Sequence, residues 1–143
     1  MQFTKAEEYG MHGVLYLAQK DRSAVTPLSE ISEAQMIPEK FLAKIFQSLS
    51  KAGIVRSHRG VRGGFTLAKD PAEIRVKDVL ETIQGPYHLI KDNGEIGICH
   101  GQNSDFCALK ELILIAEKRL VEVFEEHSLA DLLKWQKAKA VVN

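Results

Sequence analysis

Basic side chains are concentrated in one stretch of the chain, between Pro38 and Lys69. The whole protein of 143 residues carries 19 basic and 19 acidic residues, so the remainder is acidic on balance. A local positive surplus in a neutral protein indicates a surface that binds a polyanion such as nucleic acid. The alternative is an ordinary solvated helix and hairpin, but three arginines crowd a glycine-rich tip without interleaved carboxylates. The stretch has one acidic residue, Glu39, and seven basic ones: Lys40, Lys44, Lys51, Arg56, Arg59, Arg62 and Lys69.

A second group of reactive side chains lies in the segment 87–105 and at its edge. Cys99 and Cys107 are the two cysteines of the chain, and His88 and His100 belong to the same segment. Thiolates and imidazoles are ligands for iron–sulfur clusters and for zinc, although one cysteine pair without a second is a weak indication of zinc. The two cysteines can instead be free thiols that act as a redox switch by disulfide formation, or be inert.

The basic stretch must be positioned by a helix followed by a hairpin. Two short apolar strands are predicted on either side of the glycine-rich turn 60–64, and Gly53 suits the end of the preceding helix. Such a helix can fill the major groove of DNA, while arginines on a narrow tip can reach phosphates or the minor groove. Apolar residues after Pro38 recur at helical spacing and are expected to share one face: Phe41, Leu42, Ile45, Phe46 and Leu49.

Two more helices precede the basic one. The first is predicted over residues 4–20, where Thr4 and Glu7 have the spacing of a capping box. Gly10 and Gly13 weaken this helix by roughly 1 kcal/mol each, so we expect something to approach its backbone closely here. Pro27 begins a second helix that a short turn joins to the third. The order of helix, turn, basic helix and hairpin predicts a winged helix-turn-helix.

The second half of the chain has a different organisation. A short helix over 76–84 precedes the segment 87–105, which lacks a sustained period and has the length of a functional loop. A long helix from Phe106 to Glu125 then carries apolar residues on more than one stripe, which favours burial against a partner subunit. Ser128 is expected to cap a final helix.

The fold class predicted from these elements is mainly α with a small β-hairpin. Residues 1–86 form the winged helix-turn-helix domain, 87–105 form a sensor or cluster-binding loop, and 106–143 form the dimerisation helix and the C-terminal helix.

Several classes of protein are not favoured. No apolar run approaches the ~18 residues of a membrane span, and the first residues lack the pattern of an export signal, so a cytoplasmic protein without a membrane partner is expected. The sequence has no Walker loop, no G-x-S-x-G and no H-E-x-x-H motif. We therefore expect neither an enzyme nor a small-molecule substrate.

Three segments together resemble the IscR/NsrR-type (Rrf-two) family of bacterial winged-helix transcription regulators. They are the opening TKAEEYGMHGVLYLA, the stretch from PLSEISEAQ through RGVRGGF to VLETI, and the loop that carries the two cysteines before a long helix. The resemblance implies a homodimer, joined through the long helix, that binds a palindromic operator in double-stranded DNA. Family contacts carry over to Glu39, Lys40 and Lys44 on the recognition helix and to Arg59 and Gly60 on the wing. The charge pattern adds Arg56 and Arg62.

Many members of this family hold an iron–sulfur cluster between that loop and the first helix of the other subunit. They commonly have a third cysteine in the loop, whose expected position here is near Asp92, so a four-iron cluster lacks thiolates. A two-iron two-sulfur cluster can accept two non-thiolate ligands. Glu8 and His12 lie four positions apart on one side of the first helix, so the resemblance implies Cys99 and Cys107 from one subunit with Glu8 and His12 from the other.

Alternatives remain at this stage. His100, next to Cys99, is the main rival ligand, and Glu8 and His12 can be ordinary solvated or structural side chains. The second hypothesis for the whole protein is a cluster-free DNA-binding repressor, controlled by thiol oxidation or by a partner protein that docks on the long helix.

Overall fold

The computed structural model describes residues 3–90 and 108–142 as six α-helices, one short 3-10 helix (Pro71–Glu73) and one two-stranded hairpin. The order confirms the predicted fold class, mainly α with a small β-hairpin. The predictions for Cys99, His100, Phe106 and Cys107 lie outside the described residues. The elements are α1 (Lys5–Ala18), α2 (Leu28–Gln35), α3 (Glu39–Lys51), β1 (Val55–His58), β2 (Gly64–Leu67), α4 (Val76–Gln84), α5 (Ala108–Glu126) and α6 (Leu129–Val142).

Helix α1 begins with the predicted capping box and packs closely along its glycines. The Thr4 hydroxyl accepts from the Glu7 backbone N–H, and the Glu7 carboxylate accepts in return from the Thr4 N–H. A Cβ added at Gly13 would lie 2.8 Å from the Phe46 ring, and one added at Gly10 would overlap the end of Ile83. The expected close approach is therefore confirmed, and it brings α1 directly against α3 and α4.

Helix α3 buries one face and exposes the other, with one departure from the predicted face. Phe41 is 61% exposed, although its spacing suggested an inward position. It projects about 100° around the helix from Leu42, at the mouth of a shallow cleft that Tyr9 and Ile83 also line. The face that is buried consists of Leu42, Ile45, Phe46 and Leu49.

The hairpin is attached to the helices at two points. Thr26, just before α2, forms a β-bridge with Phe65: each backbone N–H donates to the other carbonyl, at 3.0 and 2.9 Å. The Phe65 ring also packs edge-on against Phe46 of α3, with centroids 5.0 Å apart. Gly64 is required beside this bridge, because any Cβ there would overlap the Thr26 carbonyl. The hairpin therefore has a fixed position relative to α3.

The start of α6 is attached to the residues before α4 and to the core, and α6 also packs on α1. Arg75 and Ser128 form a β-bridge, and Leu129 at the start of α6 is fully buried in the common core. Ser128 caps α6 as predicted: its hydroxyl accepts from the Asp131 N–H, and its own N–H donates to the Asp131 carboxylate at 2.9 Å. That backbone N–H lowers the pKa of Asp131. The division of the chain into 1–86, 87–105 and 106–143 stays a prediction.

The helices of the described ranges share one further property. Within 3–90 and 108–142, none combines the length and the apolar run that crossing a membrane requires.

Replacing Gly53 with alanine should destabilise the fold by about 1 kcal/mol, because Gly53 has a φ of +78° directly after α3. Open space surrounds the position, so the cost is one of backbone conformation and not of a clash. Gly53→Asn should cost less, since asparagine tolerates this region better. Urea unfolding of both variants measures the difference, and equal losses would contradict the assignment.

Candidate nucleic-acid interface

The exposed face of α3 carries the predicted recognition residues. Glu39, Lys40 and Lys44 are all exposed, in the first two turns of the helix. They lie away from the side that Leu42 and Phe46 bury in the core. A helix that presents its N-terminal turns in this way can place those side chains against base edges in the major groove.

The tip of the hairpin carries the remaining predicted residues. Gly60 has a φ of +109°, and its carbonyl accepts from the Gly63 N–H at 2.9 Å, which closes the turn. Val61 and Arg62 occupy the two central positions of this turn, and Val61 is fully exposed. Arg56 and Arg59 are exposed on the same hairpin. The glycines therefore allow a narrow tip from which arginines project into solvent.

The positive charge of this surface is not neutralised within the described part of the chain. The ion pairs found there join Lys5 to Glu8, Lys20 to Glu30 and His88 to Glu117. None of the basic residues between Pro38 and Lys69 takes part in them. Because their charges are exposed and unpaired within residues 3–90 and 108–142, they remain available for an anionic partner.

The predicted non-cysteine ligands lie on a separate surface. Glu8 and His12 are exposed one turn apart on α1, and the ion pair that Glu8 makes within the described residues is with the exposed side chain of Lys5 at 3.3 Å. Cys99 and Cys107 lie outside the described residues. Over the ranges that the structure describes, no group of three or more His, Cys, Asp or Glu side chains is arranged to hold a metal ion. Glu8 and His12 supply two donors of the types the prediction requires.

The structure also places a buried carboxylate that the sequence patterns did not indicate as special. Glu7, next to Glu8, is 2% exposed and accepts a hydrogen bond from the hydroxyl of Tyr87. Burial and the adjacent Glu7 carboxylate raise the pKa of Tyr87, so the phenol keeps its proton. The capping-box pattern identified Glu7 only as a partner of Thr4. No local pattern connects it with a residue eighty positions away.

Comparison with known proteins agrees with this geometry. Residues 3–135 match the model of the Rrf2 family, described as iron-dependent transcriptional regulators. IscR of T. potens is 29% identical, with a TM-score of 0.75 over 94% of this chain and 87% of that chain. CymR (YrzC), the global cysteine regulator of B. subtilis, is 25% identical, with a TM-score of 0.76 over 94% and 98%.

A transcriptional regulator from Listeria innocua is 28% identical, with a TM-score of 0.75 over 94% of this chain and 87% of that chain. The family resemblance drawn from the hairpin, the opening helix and the cysteine loop is confirmed, since the family match spans nearly the whole sequence. The chain therefore belongs to the Rrf2 family of transcriptional regulators.

Proposed function

We propose that this protein is a homodimeric regulator that binds a palindromic operator through α3 and the hairpin, and that an iron–sulfur cluster controls its affinity. The observation that carries the DNA-binding part is the exposure of the basic side chains on both α3 and the hairpin. Those side chains have no carboxylate partner within the described residues. Phe46 packs the hairpin against α3, and the Thr26 bridge ties it to the start of α2, so α3 and the hairpin can engage DNA as one unit.

The two elements have different roles in this proposal. Lys40 and Lys44 enter the major groove with α3, where lysine can bind guanine or phosphate and Glu39 can accept from cytosine. Arg59 and Arg62 reach the adjacent minor groove or its phosphates from the hairpin tip. Phosphate contacts position the protein, and contacts to base edges read the sequence.

Salt dependence of binding to a fragment of the protein's own promoter tests this function. A dimer that makes at least six phosphate contacts should lose roughly 10³-fold in affinity between 50 and 200 mM salt. Fluorescence anisotropy on the promoter fragment and on a scrambled fragment measures this loss and the specificity together. A salt-independent affinity, or equal affinity for both fragments, would contradict operator binding.

The dimer is proposed from the exposed apolar stripe of α5. Leu109, Leu112, Ala116 and Val123 follow one another at intervals of three, four and seven residues, which places them on one stripe of the helix as in a helix–helix seam. Leu112 is 62% exposed and Val123 50% exposed, while a neighbouring face of the helix is partly buried and α5 packs on α4. A second copy of α5 is the partner that the symmetry of a palindromic operator requires.

Replacing Leu112 with lysine should convert the dimer to a monomer at micromolar concentration. Loss of two buried leucines at a symmetric interface removes roughly 3–6 kcal/mol, which raises the dimer dissociation constant about 10²–10⁴-fold. Sedimentation equilibrium measures the constant. Glu125→Lys, on the opposite side of α5, introduces the same side chain away from the seam and should leave the dimer intact. A dimeric Leu112→Lys protein would overturn this interface.

The cluster is the finer part of the proposal. Glu8 and His12 fit the non-thiolate half of a two-iron two-sulfur site, because both are exposed and neither is paired with a buried group among residues 3–90 and 108–142. Cys99 and Cys107 of the other subunit would supply the thiolate half. When bound, such a group supplies a reversible one-electron change at a higher potential than four cysteines allow. His12 and Glu8 orient the site and keep it bound only while they are deprotonated.

Similarity to CymR, a cysteine regulator, favours one alternative. In this alternative the protein has no cluster, and Cys99 and Cys107 sense oxidation directly. A two-electron oxidant such as peroxide oxidises the two thiols to a disulfide and is itself reduced to water. Visible absorbance of protein purified without oxygen separates the two mechanisms, since a disulfide does not absorb in the visible range.

A further inference from the structure

Tyr87 lies where three elements of the fold meet. It follows α4 by three residues, and its hydroxyl donates to the Glu7 carboxylate of α1. Its ring packs against Phe124 of α5, with centroids 5.4 Å apart. Two residues later, the Leu89 N–H donates to the Glu117 carboxylate of α5 at 2.8 Å. This short segment is therefore attached to α1 on one side and to α5 on the other.

The buried Glu7 carboxylate depends on Tyr87 for one of its hydrogen-bond donors. Its carboxylate is almost completely buried, and no Lys, Arg or His in the described ranges pairs with it. The donors that it has are the Thr4 N–H, the Thr4 hydroxyl and the Tyr87 hydroxyl. A buried carboxylate that loses a hydrogen-bond donor is destabilised, so Glu7 holds Tyr87 firmly in place.

Helix α1 is coupled just as closely to the recognition helix. Gly13 allows the Phe46 and Leu42 side chains of α3 to contact the α1 backbone. Gly10 allows the same close contact for Ile45 of α3 and for Ile83 of α4. Closely packed interiors transmit displacement because they have no free volume to absorb it. Tyr87, Glu7 and α1 therefore form one connection between α5 and α3, beside the packing of α4 against both helices.

We propose that the hydrogen bond between Tyr87 and Glu7 is a specificity-determining contact that fixes the distance between the two operator half-sites. This inference rests on the proposed dimeric operator binding. Because α5 carries the dimer seam, its angle to α3 sets how far apart the two recognition helices lie. Half-sites about one helical turn apart, roughly 34 Å, can be distinguished from shifted ones only if that angle is rigid.

The test compares two operators that differ in spacing. The half-sites are mapped by footprinting on the protein's own promoter, and one base pair is then inserted at the dyad, which moves them by about 3.4 Å and rotates them by about 34°. The wild-type dimer should lose at least about tenfold in affinity on the longer operator. The Tyr87→Phe dimer should bind the natural operator nearly as tightly as the wild-type dimer does. Its affinity for the longer operator should be less than about threefold below its affinity for the natural one.

A merely structural role for Tyr87 predicts a different result, in which affinity for both operators falls by the same factor. Glu7→Gln keeps an acceptor oxygen for the phenol and should retain the wild-type discrimination. Glu117→Ala releases Leu89 at the other end of the segment and should reduce discrimination like Tyr87→Phe, which keeps the test decisive if one variant folds poorly. Tyr16→Phe, which loses a surface hydrogen bond to Glu30, is the matched control.

The outcomes separate this inference from the function on which it rests. If the wild-type protein binds neither operator specifically, or binds as a monomer, operator binding by a dimer is wrong. If it discriminates between the operators, and folded Tyr87→Phe and Glu117→Ala dimers discriminate equally well, the role of the Tyr87–Glu7 contact is wrong.

Discussion

Replacing Arg59 with alanine will weaken operator binding on the order of 100-fold, with little effect on folding. Arg59 is exposed beside the Gly60 turn and pairs with no carboxylate in the described part of the chain. A charge-assisted hydrogen bond contributes roughly 1.5–3 kcal/mol, and a symmetric dimer loses two of them. The slope of log affinity against log salt should fall by about 2, one for each arginine removed. Fluorescence anisotropy across a salt series measures both quantities.

Two further variants show whether the effect of Arg59→Ala comes from the loss of charge or from the loss of the guanidinium shape at this position. Lys137→Ala removes one positive charge from α6, far along the chain from the hairpin, and should change affinity little. Arg59→Lys keeps the charge but loses the planar guanidinium, so it should restore binding if Arg59 contacts phosphate alone. If it stays as weak as Arg59→Ala, insertion into a narrow minor groove is favoured. Unchanged affinity in Arg59→Ala would overturn the role of the hairpin.

The second large effect concerns visible colour. Protein purified without oxygen should absorb in the visible range, and both Cys99→Ala and Cys107→Ala should abolish that absorbance, because two of four cluster ligands are thiolates. His12→Ala should shift or weaken the spectrum without abolishing it. Absorbance and circular dichroism in the visible range measure these changes directly and do not depend on DNA binding.

Substitutions of individual histidines test which side chains, besides the two cysteines, ligate the cluster. His88→Ala should leave the spectrum unchanged, since His88 lies 3.6 Å from Glu117 and can be satisfied by that carboxylate. If Glu8→Ala and His12→Ala leave the spectrum and its stability unchanged while His100→Ala destroys it, the ligands assigned to α1 are wrong. A colourless wild-type protein whose operator affinity responds to peroxide would instead support the thiol mechanism.

Local patterns predicted the boundaries of several elements correctly. Helix α4 spans Val76–Gln84, as its amphipathic period and the following Gly85 and Pro86 indicated. The capping box of Thr4 with Glu7 and the cap at Ser128 are likewise confirmed. These features depend on residues within a few positions of one another, so their energetics are nearly complete in the sequence itself.

Longer-range packing decided which of several apolar faces became the core. In α1 Val14 and Leu17 are buried, whereas the neighbouring Leu15 is only half-buried. In α3 Phe41 is exposed although its spacing matched the buried residues. Periodicity limits a helix to a few candidate faces, and only the neighbouring helices select one of them.

By itself, the sequence determined that a basic helix precedes a glycine-tipped basic hairpin, because charge, period and turn residues are all local quantities. Only the tertiary structure decided that Phe46 packs the hairpin against that helix, that Thr26 ties it to the start of α2, and that Tyr87 reaches the buried Glu7. Those contacts join residues about 20 to 80 positions apart. They form only when hydrophobic burial has already brought the helices together. Closing such long loops costs conformational entropy, and interactions between residues near in sequence do not offset that cost.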